Sequence, residues 1–287
     1  MQVEIRLIGI VGSGTMGSGI AQVAVQQGFH VLLYDVRQEA LQTSLAGIAA
    51  RIDRLAEKGK IPKEAAETAK NRIHVTTDLE QMASCQVVIE AVPETLDMKQ
   101  QLFQRLDDCC PPETILASNT SSLSITQIGS VVERPERVGG MHFFNPVPLM
   151  PLVEIVQGIQ TSDATVETLS RLAVDMGKHP VKCKDTPGFI VNRVARPYYN
   201  EALRILGDGV ASVEQIDRIM KQAGKFPMGP FELQDLIGID VNFSTTQSVF
   251  AGFFGDSRFR PHFYQQRLMQ AGQLGRKSGR GYYRYEG

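Results

Sequence analysis

The stretch GMHFFNPVPLMPLVEIV, from Gly140 to Val156, places one histidine and one glutamate in otherwise apolar, proline-punctuated company. A neutral imidazole is a suitable general base near neutral pH. A carboxylate on its second nitrogen fixes the tautomer and stabilises the imidazolium that forms. The flanking runs VGGMHFF and LVEIV read as strands, and the prolines between them block regular pairing. A return of the chain there would bring His142 and Glu154 together. A satisfied core histidine is the plainer reading of His142 alone. Glu154 inside an apolar run argues against it, because buried carboxylates are rare unless paired.

A second group of residues is spaced for an anion. VGSGTMG supplies Gly12, Gly14 and Gly17 in G-x-G-x-x-G spacing, with Thr15 and Met16 inside it. It follows one apolar run and opens a helical one, the context a dinucleotide fingerprint requires. The first glycine permits the tight turn, the second the approach of a pyrophosphate, the third close helix–strand packing. Asp35 closes the next apolar run, HVLLYD, where a carboxylate can accept hydrogen bonds from the adenosine ribose. It would repel a 2′-phosphate, which favours NAD over NADP, although Arg37 nearby leaves the second cofactor open. A glycine-rich packing turn beside a surface aspartate is the plainer reading. A third group is basic: Arg51, Arg54 and Lys58 fall at i, i+3 and i+7, one face of a helix. A solvated charged face is its plainer reading.

The elements that must position these groups alternate. IRLIGIVG, HVLLYD, CQVVIEAV and TILASNT are compact apolar runs separated by helical stretches. This rhythm predicts a parallel sheet covered by helices on both faces. The first helix ends at Gly28, a suitable C′ residue. Between Asp35 and Ile73 the chain is longer than a crossover needs and reads as two helices joined at KGKIP, a helical arm projecting from the sheet. From about Phe189 the pattern is almost wholly helical, with a capping-box signature at Ser212 and Gln215. The boundary falls at the turn chemistry of Pro187–Gly188. The expected organisation is α/β: a Rossmann-like NAD-binding domain with a helical arm over 1–187, then an all-α C-terminal domain over 188–287.

Composition narrows the function classes. The 287 residues are 43% hydrophobic and 21% charged, with net charge -1, which offers no global field for nucleic acid or an anionic membrane. Any anionic ligand must be held by local groups. Cys85, Cys109, Cys110 and Cys183 make no C-x-x-C pair and no metal spacing, so no metal is expected and the thiols read as reduced. No signal peptide or membrane-spanning stretch is read, and the expected location is cytoplasmic.

The stretches GSGTMGSGIAQ, EAVPE, SNTSSLSIT, HFFNPVP, LVEIV, DTPGFIVNR and GPFELQDLIG resemble the 3-hydroxyacyl-CoA dehydrogenase family, in its order and over nearly the whole chain. The resemblance implies NAD-linked oxidation of a (3S)-3-hydroxyacyl-CoA to the 3-oxoacyl-CoA, and a homodimer paired through the helical domain. It implies that His142 is the base and Glu154 its orienting acid. It assigns Ser121 to the reacting oxygen or the histidine, and Asn192 to positioning and polarising the substrate. Glu94 and Lys99 match positions near the nicotinamide half of NAD, and Asn119 and Asn145 match further lining residues. The family's CoA contacts lie on the arm, which points to Arg54 and Lys58.

The chain departs from the family at Pro151, where relatives often carry lysine. Its last hundred residues resemble the 3-hydroxyadipyl-CoA branch at least as much as the 3-hydroxybutyryl-CoA branch. The chain carries one copy of the helical domain, which makes pairing between molecules the expected cover for its apolar surface. Two alternatives stay open: a dehydrogenase of a non-CoA hydroxyacid or sugar acid, and a non-catalytic NAD-binding protein. Ser121 as a turn hydroxyl and Asn192 as a helix cap are the plainer readings of those two residues.

Overall fold

The computed structural model describes residues 4–285. The chain divides after Thr186 into two compact units. In the first, strands β1 (Leu7–Val11), β2 (His30–Tyr34), β3 (Ile73–Thr76), β4 (Val87–Glu90), β5 (Ile115–Ser118), β6 (Val138–Phe143), β7 (Leu152–Gln157) and β8 (His179–Lys184) form one sheet. Their order is β3-β2-β1-β4-β5-β6-β7-β8. The first six run parallel, β7 is antiparallel to β6, and β8 is parallel to β7. The order reverses direction between β1 and β4, and in doubly wound sheets ligands bind outside the carboxyl ends of the strands at such a point.

The helices of this unit are α1 (Thr15–Gln26), α2 (Gln38–Glu57), α3 (Lys63–Lys70), α4 (Leu96–Cys109), α5 (Ile125–Gly129) and α6 (Asp163–Asp175). Strand β1 shows why the runs are apolar throughout. Ile8 and Ile10 join the cluster built with α1, α2 and α6, while Gly9 between them backs onto Met82, Cys85 and Val88. A strand covered on both faces cannot alternate apolar with polar. Helix α1 stops where the sequence says it should, with Gly28 at φ 99° two residues past its end.

The arm is two helices, α2 and α3, but it does not project freely. Leu41, Ile48 and Ile52 of α2 are fully buried and pack with α1 in the main core. Each such side chain contributes about 1.5–3 kcal/mol over an exposed one, so a 20-residue helix with this face closes onto its neighbour. One strand has no strong sequence signature. Strand β8, HPVKCK, is largely exposed and is held by backbone pairing to β7 rather than by an apolar face. At its end Asp185 accepts from the Ser124 hydroxyl and the Thr126 amide, both at 2.7 Å, and so ties the edge of the sheet to the start of α5.

The second unit holds α7 (Val191–Gly207), α8 (Val213–Gln222), α9 (Pro230–Ile237), α10 (Ile239–Gly252) and α11 (Phe263–Gln270). The capping box at Ser212 and Gln215 starts α8, and Gly238, at φ 103°, separates α9 from α10. The chain after α11 has no further α-helix among the described residues, only a 3-10 turn at Arg276–Ser278. Buried Asp235 on α9 accepts from the amides of Tyr282 and Tyr283 at 3.0 Å and from the Tyr285 hydroxyl at 2.9 Å. Gly275 and Gly281 are required there, since a Cβ on either would lie within 2.3 Å of Asp235. Asp235→Ala would orphan three donors. It is expected to lower stability by about 3 kcal/mol in urea unfolding, and an unshifted midpoint would show that Asp235 does not hold the tail.

Candidate active site

Strand β6 and strand β7 pair with His142 directly opposite Glu154. Met141, Phe143, Val153 and Ile155 face the main core, so alternation turns His142 and Glu154 together to the other face. His142 Nδ1 lies 2.7 Å from Glu154 Oε2, and both side chains are buried. A carboxylate only accepts, so this contact puts the ring proton on Nδ1 and the basic lone pair on Nε2. The loop between the two strands is fixed by a residue the sequence did not single out. Buried Lys178 donates from Nζ to the carbonyls of Val147 at 2.5 Å and Met150 at 2.9 Å. At Pro151 the carbonyl takes the His179 amide at 2.7 Å, so proline there leaves the strand entry intact.

The glycine loop lies at the carboxyl end of β1, on the same edge of the sheet where parallel β6 delivers His142. Gly12 has φ 105°, and its amide bonds the Tyr34 carbonyl at 2.8 Å. Gly17 packs against the Gly12 carbonyl so closely that a Cβ would sit 1.8 Å away. Gly14 is different: a Cβ there would meet nothing within 4 Å. Gly14 is also the N-cap of α1, with no side chain capping the helix and no acid in its first turn. The amides of Thr15 and Met16 open a helix whose dipole suits an anion. The loop therefore fits a pyrophosphate on this structure's own geometry.

Asp35 follows β2. Its Oδ2 accepts from the Ser13 amide at 3.0 Å and the Ser13 hydroxyl at 2.8 Å, and its Oδ1 from the Arg37 amide at 3.1 Å. Partial burial raises its pKa, but these hydrogen bonds outweigh that and hold the carboxyl below its ordinary value. Ser13 is a partner the fingerprint alone does not reveal. Arg37 stays exposed, its Nε 4.0 Å from Asp35.

Glu94, Lys99 and Ser121 come together, and a further acid joins them. Lys99 is buried, with Nζ 2.5 Å from Glu90 Oε1 and 3.3 Å from Glu94 Oε2. Glu90, at the end of β4, also accepts from the Ser118 hydroxyl at 2.6 Å. Its signal in the sequence is the lone acid closing CQVVIEAV. Glu94 Oε1 gathers the next turn, accepting from the Thr120 hydroxyl at 2.6 Å and the Ser121 amide at 2.8 Å, with the Ser121 hydroxyl at 3.2 Å. Burial raises the Glu94 pKa, but the Lys99 charge and these donors together hold it below the ordinary carboxylate value. Asn119 Oδ1 accepts the Phe143 amide at 2.8 Å, which ties this turn to the strand carrying His142.

A cavity of about 1120 Å³ joins the glycine loop to the arm. Gly14 and Thr15 line one part, Arg54 of α2 and Lys58 just past its end another, and Asn145 lines it as well. Arg51, expected on the same basic face, is engaged: its Nε donates to Gln22 Oε1 at 2.6 Å. Asn192 sits in the first turn of α7, in the second unit. The thiols are protonated at neutral pH where burial pushes them up, Cys85 to about 11 and Cys183 to about 12.

A doubly wound sheet with an anion-ready glycine loop, a carboxylate closing the second strand and a buried His–Glu pair on one edge defines a dinucleotide-dependent oxidoreductase scaffold. Comparison with known proteins gives the family. Residues 7–186 match the 3-hydroxyacyl-CoA dehydrogenase NAD binding domain, and residues 188–285 match the 3-hydroxyacyl-CoA dehydrogenase C-terminal domain. The chain belongs to the NAD-dependent 3-hydroxyacyl-CoA dehydrogenase family of oxidoreductases. It is 50% identical over 283 residues to a 3-hydroxyadipyl-CoA dehydrogenase of Escherichia coli, covering 99% of this chain and 60% of that protein. It is 47% identical to a probable 3-hydroxybutyryl-CoA dehydrogenase of Bacillus subtilis, covering 99% of this chain and 98% of the relative. The crystal structure of (S)-3-hydroxybutyryl-CoA dehydrogenase from Ralstonia eutropha superposes with a TM-score of 0.95 at 42% identity, covering 99% of this chain and 100% of the other. No helix among the described residues is long and apolar enough to cross a membrane.

Proposed function

We propose that this chain oxidises a (3S)-3-hydroxyacyl-CoA to the 3-oxoacyl-CoA, reversibly, on a short-chain or adipyl acyl group. The observation that carries the reading is the 2.7 Å contact of His142 with Glu154, in register and buried, on the sheet edge that holds the glycine loop. NAD, held by Gly12, Gly14, Gly17 and Asp35, supplies the hydride acceptor. His142 takes the 3-hydroxyl proton at Nε2, and Glu154 offsets the charge that then develops on the ring. Ser121 hydrogen-bonds the reacting oxygen, from a turn that Glu94 fixes. Lys99, 1% exposed, acts on the nicotinamide half through Glu94 rather than by direct contact. Asn192 helps position and polarise the substrate beside the reacting carbon, and Asn119 and Asn145 line the path. The test is NADH consumption with acetoacetyl-CoA and with 3-oxoadipyl-CoA. Turnover of either supports the reading; NADH binding with no turnover of either would sink it and favour a non-CoA hydroxyacid.

The arm end of the cavity is assigned to the phosphates of coenzyme A, through Arg54 and Lys58. Replacing both with alanine is expected to raise KM for CoA substrates about 10-fold or more, and to leave KM for the truncated pantetheine thioester within about two-fold, since each phosphate contact is charge-assisted. Equal changes for both substrates would reject the contact. In the second unit, Phe254, Ile219 and Phe226 are exposed, Phe254 completely. This apolar surface supports a homodimer paired through the helical domain.

A further inference from the structure

Arg196 lies one turn beyond Asn192 in α7 and is 3% exposed. Buried arginines are ordinarily paired with a carboxylate. None pairs with this one among the described residues. Its Nε donates to the Asn192 carbonyl at 3.1 Å, and its Nη1 to the Asn242 carbonyl and the Thr246 hydroxyl, both at 2.9 Å. Nη2 has only a long contact, 3.4 Å, to Asn192 Oδ1. The ring of Tyr199 lies 4.9 Å from the guanidinium carbon. Every partner is neutral. Loss of solvent pushes the guanidinium pKa down to about 10, so the group still carries its charge at neutral pH. Asn242, which supplies one of the carbonyls, also has a buried amide Nδ2 with no acceptor. A full positive charge met only by neutral groups makes a site short of an anion.

We infer that Arg196 is the specificity-determining residue for an acyl chain that ends in a carboxylate. The inference rests on the proposed dehydrogenase reading, in which Asn192 meets the substrate close to the reacting carbon. Half-buried Asn192 is the accessible neighbour of Arg196. A terminal carboxylate three carbon–carbon bonds beyond the reacting carbon reaches about 4 Å further. That span matches the step from the Asn192 side chain to the guanidinium. The carboxylate replaces the weak Asn192 Oδ1 contact with a charge-assisted pair, for which the planar fork of arginine is shaped. A methyl group at the same place would leave the cation buried and uncompensated, so the site also disfavours the uncharged chain.

The experiment compares 3-oxoadipyl-CoA with 3-oxohexanoyl-CoA, which has the same carbon count and a methyl end. For the natural protein, kcat/KM is expected to favour the adipyl thioester by on the order of 100-fold or more, because a site built for a charged group rejects the analogue that lacks it. In R196M this ratio is expected to collapse toward one. A natural ratio near one overturns the inference without any variant. A ratio unchanged in R196M, with both substrates slowed alike, also overturns it and leaves Arg196 as structural support for α7. Should R196M fail to fold, the methyl ester of the adipyl thioester, tested on the natural protein, takes its place. It is expected to lose the same factor, and equal turnover of acid and ester overturns the inference. Absence of turnover with both thioesters would instead bring down the dehydrogenase reading on which it rests.

Discussion

His142→Gln is expected to lower kcat about 1,000-fold or more while leaving the Kd for NADH within about three-fold of the natural value. Glutamine keeps a polar side chain of similar reach, so it removes the base without opening a large hole beside Phe144, whose ring lies 4.4 Å from the imidazole. A positioned general base contributes about 10²–10⁴-fold. Here the loss extends to the upper part of that range, because the variant loses both the base and the ring through which Glu154 offsets the developing charge. Glu154→Gln separates the two effects. Its amide offers Nδ1 a donor as well as an acceptor and no longer stabilises an imidazolium, so a loss of about 100-fold or more is expected with the fold retained. Steady-state kinetics with NADH and a 3-oxoacyl-CoA, beside an NADH fluorescence titration, read both. Unchanged kcat in His142→Gln would remove the histidine from the chemistry.

The two residues of that pair were legible because their surroundings contradict them. A histidine and a glutamate inside runs such as VGGMHFF and LVEIV have no reason to be there as solvent groups, and antiparallel return of the chain follows from the prolines between them. The glycine loop was legible for a related reason: the spacing only makes sense where a strand turns into a helix. What the sequence hid depends on contacts far apart in the chain. Lys178 looks like a surface lysine and instead bonds the carbonyls of Val147 and Met150. Glu90 and Ser118 are separated by 28 residues and meet only because β4 pairs with β5. Strand β8 carries no apolar alternation, since it is held by backbone pairing to β7 and by polar side chains such as Lys184, which donates to Gln157 Oε1 at 2.5 Å. Arg196 sits beside Pro197 in a helix whose other polar positions are exposed or half-buried up to Tyr198, and only packing against Asn242 and Thr246 shows it to be inside. The arm misled in the other direction. Its two helices are plain from their polar residues and the KGKIP turn, but the apolar face formed by Leu41, Ile48 and Ile52 requires a partner surface, and α1 provides it.

The three glycines of the loop allow a sharper test, because the structure gives them different duties. Gly17→Ala would drive a Cβ to 1.8 Å from the Gly12 carbonyl oxygen, a backbone atom with no room to move. Gly12 is itself held at φ 105° with Ala91 behind it, so the clash must be relieved by lifting α1 from β1. A loss of about 3 kcal/mol or more in unfolding free energy is expected, together with loss of NADH binding. Gly14→Ala meets no protein atom within 4 Å, and Gly14 has φ -65°, which any residue adopts. Its stability should therefore stay within about 0.5 kcal/mol of the natural protein. The space it fills is where the proposed cofactor reading puts the pyrophosphate, at the start of α1, so NADH affinity should fall at least about 30-fold, given the cost of blocking close backbone approach to the phosphates. Thermal melting and NADH titration on the two variants distinguish packing from ligand approach. A Gly14→Ala protein that binds NADH normally would mean that the pyrophosphate does not lie against Gly14. One that unfolds as readily as Gly17→Ala would mean that the open space beside Gly14 belongs to the fold and not to the cofactor.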